Sequence, residues 1–126
     1  MTVDEGAVDG PEVVLVEDER NLRELYQDVL GARGLRVVPL DSVAAAEAYL
    51  SRHVPDLLLL DVKLGDGDGL ALLDRLRQQG LRTPVIVMTA FGDDETRIRV
   101  ELLGAVLLEK PFRLDALRTA VRASLR

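Results

Sequence analysis

Hydrophobic residues along this chain follow two patterns that alternate from one end to the other. Short unbroken runs bounded by turn residues are typical of strands buried on both faces. Between them lie longer stretches in which hydrophobic residues recur every three or four positions, as on one face of a helix. The short runs predict strands at Val13–Val16, Leu35–Pro39, Leu57–Leu60, Val85–Met88 and Val106–Leu108.

Each short run is followed by a stretch with helical spacing, and local signals mark its ends. Asp41 or Ser42 is expected to cap the second helix, and Asp93 or Asp94 the fourth. Such side chains accept hydrogen bonds from the unpaired amides of a first helical turn. Gly34 is expected to end the first helix. The predicted helices span residues 21–32, 43–53, 70–79, 94–103 and 114–125.

Five strand–helix units in succession predict an α/β fold. Such units form a parallel sheet with helices on both faces. Five strands are too few for a closed eight-stranded barrel, so we expect an open, doubly wound, five-stranded parallel sheet. Sheets of this kind bind their ligands beyond the carboxyl ends of the strands, where the strand order reverses.

Composition fits one folded domain and argues against several kinds of partner. We place the domain at residues 11–126 and expect the acidic residues 1–10 to be a disordered tail, not a signal peptide. The chain has no cysteine and no apolar segment long enough for a membrane helix, which favours a cytoplasmic protein. A formal net charge of −6 argues against nucleic acid as a direct ligand.

Residues capable of chemistry lie just past four of the predicted strands. Glu17 and Asp18 follow the first strand, Asp61 the third, Thr89 the fourth and Lys110 the fifth. Each has a simpler explanation alone, since acids after a strand often cap the next helix and a strand-end lysine is commonly solvated. Together they predict an oxygen-rich pocket suited to a hard cation such as Mg²⁺, with an ammonium and a hydroxyl for a phosphoryl group.

The charges of these residues indicate the role that each would have in such a pocket. A phosphoryl group that approaches a carboxylate is repelled, so a divalent cation must neutralise part of the charge. Glu17 and Asp18 would hold that cation, with Asp61 as a third ligand. Once Asp61 carries a phosphoryl group, Lys110 can donate a charge-assisted hydrogen bond to it and Thr89 a neutral one.

Four short strings in order carry a resemblance to a known family. They are Val-Leu-Val-Glu-Asp-Glu (14–19), Leu-Leu-Leu-Leu-Asp-Val-Lys-Leu (57–64), Met-Thr-Ala (88–90) and Lys-Pro-Phe (110–112). Over residues 11–126 the chain resembles the receiver domain of two-component response regulators. The resemblance implies the flavodoxin-like receiver fold and a phosphoacceptor role without enzyme status. It implies a histidine kinase or phosphotransfer protein as donor and a downstream output domain or protein as target, and it leaves room for a homodimer.

The resemblance also implies roles for individual residues. Asp61 becomes the phosphoacceptor, and Glu17 and Asp18 become the acidic pair that binds Mg²⁺ or Mn²⁺. The backbone carbonyl of Lys63 completes the metal shell, while its side chain points outward.

On the phosphate side, Thr89 and Lys110 match the residues with which the family senses phosphate. The family's Lys–Pro bond is cis, so the Lys110–Pro111 bond is expected to be cis as well.

The sequence departs from the family pattern in three places. Gly65 stands where the family usually has proline, so the loop 65–69 is expected to be more mobile than in relatives. Leu107 stands where the family carries a tyrosine or phenylalanine as a rotameric switch. Only residues 106–109 separate Gly104-Ala105 from Lys110, one fewer than is usual in the family.

Other interpretations fit the residues less well. A haloacid-dehalogenase-like phosphatase needs an aspartate where this chain has Lys63, and a flavodoxin-like cofactor site would be repelled by the acids at 17–19. A calcium loop starting at Asp66 would place Leu70 where an oxygen ligand is required. A pseudo-receiver, which binds partners without phosphorylation, is the alternative that stays open. His53 is expected to be a surface residue without a ligand role.

Overall fold

The computed structural model describes residues 10–126, in which five parallel strands form one sheet. In spatial order the strands are β2, β1, β3, β4 and β5. Along the chain they are β1 (Glu12–Val16), β2 (Arg36–Leu40), β3 (Leu57–Asp61), β4 (Val85–Thr89) and β5 (Val106–Glu109). The helices are α1 (Arg20–Gly31), α2 (Val43–Leu50), α3 (Gly69–Gln78), α4 (Asp94–Leu102) and α5 (Leu114–Ser124). The predicted fold class is therefore confirmed.

Helices cover both faces of the sheet and bury the hydrophobic residues of its central strands. Alternate residues of a strand point to opposite faces, so Leu58 and Leu60 belong to one core cluster and Leu57 and Leu59 to the other. The first cluster packs against α2, α3 and α4, and the second against α1 and α5. Burial on both faces explains why these strands appear in the sequence as unbroken hydrophobic runs.

The strand order reverses beside β1. From β1 the chain crosses to β2 on one side and then returns to β3 on the other, so Val16 pairs with both Leu40 and Leu60. This reversal opens a crevice beyond the carboxyl ends of β1 and β3. Glu17 and Asp61 lie at its two sides.

Local signals at the helix ends agree with the sequence in most cases. Ser42 caps α2 through the amide of Ala45, and Asp93 caps α4 through the amide of Thr96. Gly34, which follows α1, has a φ of 81° that most other residues avoid.

The structure departs from the predicted elements in small ways. The second helix ends at Leu50 and not near His53, because a turn at residues 51–52 precedes Pro55. The glycine-rich segment contains a two-residue antiparallel ladder between 63–64 and 67–68, which the pattern did not predict. The Lys110–Pro111 bond is cis and His53 is exposed, as expected.

At the amino end, the tail predicted for residues 1–10 lies outside the described residues except for Gly10. The carbonyl of Gly10 accepts a hydrogen bond from Arg36 Nε at 3.1 Å. Among residues 10–126, no helix is long and apolar enough to cross a membrane.

Candidate phosphoacceptor site

Three carboxylates from two strand ends meet in the crevice. Glu17 and Asp18 directly follow β1, and Asp61 is the last residue of β3. An oxygen from each of the three lies within 4.8 Å of an oxygen of the other two. Glu17 is 1% exposed and Asp61 6%, whereas Asp18 faces solvent. The predicted acidic cluster is thus assembled, with one member open to incoming ligands.

Lys110 reaches the same crevice from the end of β5. Its Nζ donates to Glu17 Oε1 at 2.8 Å and to Asp61 Oδ2 at 2.9 Å. The ammonium group therefore bridges the two buried carboxylates. The shortened segment between Gly104 and Lys110 does not keep the lysine from the site.

Thr89 lies beside this lysine at the end of β4 and is buried. Its carbonyl accepts from the Lys110 amide at 2.8 Å, which fixes the two residues relative to each other. Its Oγ1 accepts a hydrogen bond from the Phe91 amide at 2.9 Å. A hydroxyl that accepts one bond still has its own hydrogen to donate, so Thr89 retains a donor for an anionic group.

The main chain of Lys63 also contacts Asp61, whereas its side chain does not. The Lys63 amide donates to Asp61 Oδ1 at 3.1 Å. The side chain is exposed, and its Nζ lies 4.8 Å from the centroid of the Phe91 ring. This placement agrees with the outward direction expected from the sequence.

Burial and charge act together on the pKa values of this cluster. Burial raises the pKa of Glu17, and the charge of Asp61 raises it further, although the bond from Lys110 opposes both. Burial alone would lower the pKa of Lys110, but the bonds to Glu17 and Asp61 outweigh it and raise the pKa. The lysine therefore stays protonated as the counterion of two carboxylates.

The donor set of the cluster suits a hard divalent cation. All three side chains offer carboxylate oxygens, the ligand type that Mg²⁺ and similar ions prefer. Each oxygen of Glu17 and Asp61 already accepts one hydrogen bond, from Lys110, Glu19 or Lys63. A carboxylate oxygen has a second lone pair, so these oxygens can still bind an ion.

Two acidic residues near the site have roles that the sequence did not assign. Glu19 caps α1 by accepting from the amides of Asn21 and Leu22. The simpler explanation for acids after a strand thus holds for Glu19, the third acid of the run. Asp66, in the glycine-rich loop, accepts hydrogen bonds from the first turn of α2. Its main-chain partners lie far away in sequence, so no local signal could identify it.

Comparison with known proteins agrees with the fold. The sequence model of the response regulator receiver domain matches residues 13–122. This chain therefore belongs to the response regulator receiver domain family.

Relatives with curated descriptions are named as response regulators or transcriptional regulatory proteins. The response regulator protein PilR of Pseudomonas aeruginosa is 38% identical over 114 residues, which is 90% of this chain and 26% of PilR. The phosphate regulon transcriptional regulatory protein PhoB of Rhizobium meliloti is 38% identical over 119 residues, 92% of this chain and 52% of PhoB. The chain thus spans about a quarter to a half of the length of these relatives.

Solved structures of isolated receiver domains have the same fold. A signal receiver domain from Vibrio parahaemolyticus superimposes with a TM-score of 0.87 at 33% identity, over 92% of this chain and 90% of that one. The non-phosphorylated HemR receiver domain of Leptospira biflexa superimposes with a TM-score of 0.87 at 28% identity, over 91% of this chain and 94% of that one.

Proposed function

We propose that Asp61 accepts a phosphoryl group within a two-component signalling system, with residues 11–126 as the functional unit. The observation that carries this proposal is the convergence of Lys110 with three carboxylates at the strand-order reversal. Glu17, Asp18 and Asp61 would hold Mg²⁺ or Mn²⁺, with the Lys63 carbonyl as a further ligand. The cation would offset the charge of the incoming phosphoryl group.

In the transfer itself, an Asp61 oxygen attacks phosphorus and the bond to the donor breaks. With a phosphohistidine donor, the P–N bond is replaced by a P–O bond, and the imidazole leaves and takes up a proton from solvent. The carboxyl oxygens of Asp61 lose their negative charge when the acyl phosphate forms, and the negative charge then lies on the phosphoryl oxygens. Lys110 can then turn from the Asp61 carboxylate to the phosphoryl oxygens without leaving Glu17, and Thr89 can donate its hydroxyl hydrogen.

A protein donor needs a surface beside Asp61 on which to dock. An apolar groove of about 440 Å³ begins at Lys110 and runs between α1 and the start of α5. Its walls include Leu22, Leu25, Phe112 and Leu114, and Leu25 is 42% exposed. We propose that a histidine kinase or phosphotransfer protein binds here. The longer relatives are named as transcriptional regulators, so the phosphorylated chain would act on an output domain or protein.

The test is phosphorylation by a small donor. Acetyl phosphate with Mg²⁺ should add one phosphoryl group to the wild-type protein, detected by intact-mass measurement. Asp61→Asn or excess chelator should abolish the adduct. Labelling that persists in Asp61→Asn would contradict the assignment, and a wild-type protein that is never labelled would favour the pseudo-receiver alternative.

A further inference from the structure

The loop that follows Asp61 is rich in glycine and yet carries part of the site. Gly65, Gly67 and Gly69 lie within a few residues of Lys63, whose amide bonds to Asp61. Glycine has many accessible conformations, so holding such a loop in one shape is costly. Contacts outside the loop must therefore contribute to its order.

Asp66, at the tip of the loop, supplies such a contact. Its Oδ1 accepts from the Val43 amide at 2.8 Å and its Oδ2 from the Ala44 amide at 3.0 Å. Ser42 takes a different amide of the same helix, that of Ala45, at 3.0 Å. The first amides of α2 have no partner inside the helix, so Asp66 satisfies the two that the Ser42 side chain leaves unpaired.

Packing joins the loop to α2 on one side and to the acidic cluster on the other. A Cβ placed at Gly67 would lie 3.2 Å from Val43 Cγ2, so the loop lies against the first turn of α2. A Cβ placed at Gly65 would lie 3.5 Å from Asp18 Oδ2, so the loop also passes beside a predicted metal ligand. The loop therefore connects α2 with the candidate cation site.

The charge of Asp66 strengthens its bonds to the helix. The hydrogen bonds from Val43 and Ala44 lower the pKa of Asp66, which keeps it ionised near neutral pH. A carboxylate at a helix N-terminus also interacts favourably with the helix dipole. Bonds of this charge-assisted kind are stronger than those between neutral groups.

We propose that Asp66 is a positioning residue for the cation site. By holding the loop on α2, it keeps the Lys63 main chain against Asp61 and so sets the affinity for Mg²⁺. This inference rests on the proposed function, because it concerns the cation that assists transfer to Asp61. Since coupling between two sites is reciprocal, Mg²⁺ binding in turn strengthens the contact between Asp66 and α2.

The first experiment is a Mg²⁺ titration of the unphosphorylated protein, followed by backbone amide NMR. Asp66→Ala is expected to weaken Mg²⁺ binding about tenfold, the lower end of what supporting residues of metal sites contribute. Asp66→Asn keeps one acceptor oxygen, so its Mg²⁺ affinity should fall less, about threefold. Ser42→Ala is the matched control, because it removes a cap from the same helix without touching the loop, and it should bind Mg²⁺ as the wild type does.

Hydrogen exchange gives a second measurement that does not depend on the cation. The Gly69 amide donates to the Val62 carbonyl at 2.7 Å, which closes the base of the loop. The amides of Lys63 and Gly69 should exchange faster in Asp66→Ala than in the wild type and should be unchanged in Ser42→Ala. Should Asp66→Ala fail to fold, Asp66→Asn carries both measurements.

Two results would overturn the proposal. One is that both Asp66 variants bind Mg²⁺ with wild-type affinity and that their loop amides exchange at the wild-type rate. The other is an equal loss in Ser42→Ala, which would assign the effect to the stability of α2 alone. A wild-type protein that binds Mg²⁺ but is never labelled by acetyl phosphate would contradict the proposed function and leave the role of Asp66 intact.

Discussion

At the scale of single residues, one ammonium group serves two buried carboxylates. Lys110 bonds to Glu17 and to Asp61 in the same arrangement. A buried charge is tolerated only when it is paired, so the lysine stabilises the site before any phosphoryl group arrives. The same group would also be in place to bind a phosphoryl group on Asp61, because the strand ends have already fixed its position.

We expect Phe91 to affect a different property, the lifetime of a phosphoryl group on Asp61. In the family, the residues two positions after the phosphoacceptor and after the threonine flank the path of the attacking water. Here these are Lys63 and Phe91, and the lysine Nζ lies 4.8 Å from the ring centroid. A phenyl ring cannot orient water by hydrogen bonding, so self-dephosphorylation is expected to be slow.

We expect Phe91→Glu to shorten the phosphoryl half-life several-fold. The effect should stay below the roughly 100-fold rate increase that a fully positioned general base contributes. Decay of the acyl phosphate, followed by intact mass, measures the change. Phe91→Leu is the control, because it stays apolar and should decay nearly as slowly as the wild type. An unchanged or longer half-life in Phe91→Glu would refute this explanation.

The residues of the site were predictable to different degrees. Glu17, Asp18, Asp61, Thr89 and Lys110 could be placed together because parallel strands bring their carboxyl ends to one edge of a sheet. The bridging position of Lys110 was not predictable, because it depends on distances between strands. Residues that bind distant main-chain groups, such as Asp66, leave no pattern in the sequence.

At the scale of elements, α4 shows how a cap can be tested. The sequence allowed Asp93 or Asp94 as its cap, since neighbouring acids carry the same local signal. In the structure Asp93 accepts from the Thr96 amide at 2.8 Å, while Asp94 lies in the first turn. Only the backbone conformation of the cap residue distinguishes the two.

The hydrogen bond from the Thr96 amide lowers the pKa of Asp93 below its ordinary value of 3.8. A carboxyl group whose pKa is lower in the folded than in the unfolded protein stabilises the fold at pH values above its unfolded pKa. This stabilisation is lost as the pH falls through the folded pKa. Asp93→Ala should therefore be less stable than the wild type near neutral pH, and the difference should narrow below about pH 3.8. Urea unfolding at several pH values measures this. Asp93→Asn, which cannot ionise, should lack only the part of the pH dependence that Asp93 contributes. A difference between Asp93→Ala and the wild type that widens in acid would contradict the prediction.

Two of the three departures from the family pattern lie at the fifth strand, namely Leu107 and the short segment 106–109. Leu107 is partly buried beneath a groove of about 340 Å³ between α4 and β5. Arg97 of α4 bonds to Glu109 of β5 at 3.0 Å, so the two elements are also joined by an ion pair. A leucine has no hydroxyl and gains less than a tyrosine from moving between inner and outer positions.

We therefore expect weak coupling between the phosphoryl group and β5. Beryllofluoride, a stable mimic of the phosphoryl group, can be followed by backbone amide NMR. Shifts should be large near Asp61, Thr89 and Phe91 and modest over residues 106–112, apart from Lys110. A ligand shifts an equilibrium only by its differential affinity for the two states, so equal shifts in both regions would show that Leu107 is an adequate switch.

At the scale of the whole molecule, the two-sided core dominates stability. Leu59 has no exposed surface and packs on the face covered by α1 and α5. Leu59→Ala should lower the free energy of unfolding by about 2–5 kcal/mol, because it removes buried methyl groups and leaves a cavity. The same substitution at Leu102, which is 80% exposed, should change it by less than about 0.5 kcal/mol. Urea unfolding measures both, and similar losses at the two positions would contradict this account of the core.

The sequence predicted the architecture better than the arrangement of its parts. Five strand–helix units were sufficient to indicate a parallel sheet with two covered faces. Strands buried on both faces show no alternation, so the pattern could not tell which helix covers which face. The boundaries of the elements were predicted only to within a few residues. The ladder after β3 was missed because each of its strands is only two residues long.

The strand order has a consequence for how the chain reaches its native state. β1 sits between two partners, and the earlier of them along the chain, β2, begins only at Arg36. Its other partner, β3, begins at Leu57, so every neighbour of β1 must be found across an intervening helix. Closing such loops lowers the entropy of the chain before any stabilising contact forms, and parallel sheets fold slowly for this reason. During synthesis the strand ends that carry Glu17 and Asp61 therefore cannot come together until β3 has left the ribosome, and Lys110 follows later still, after the end of β5.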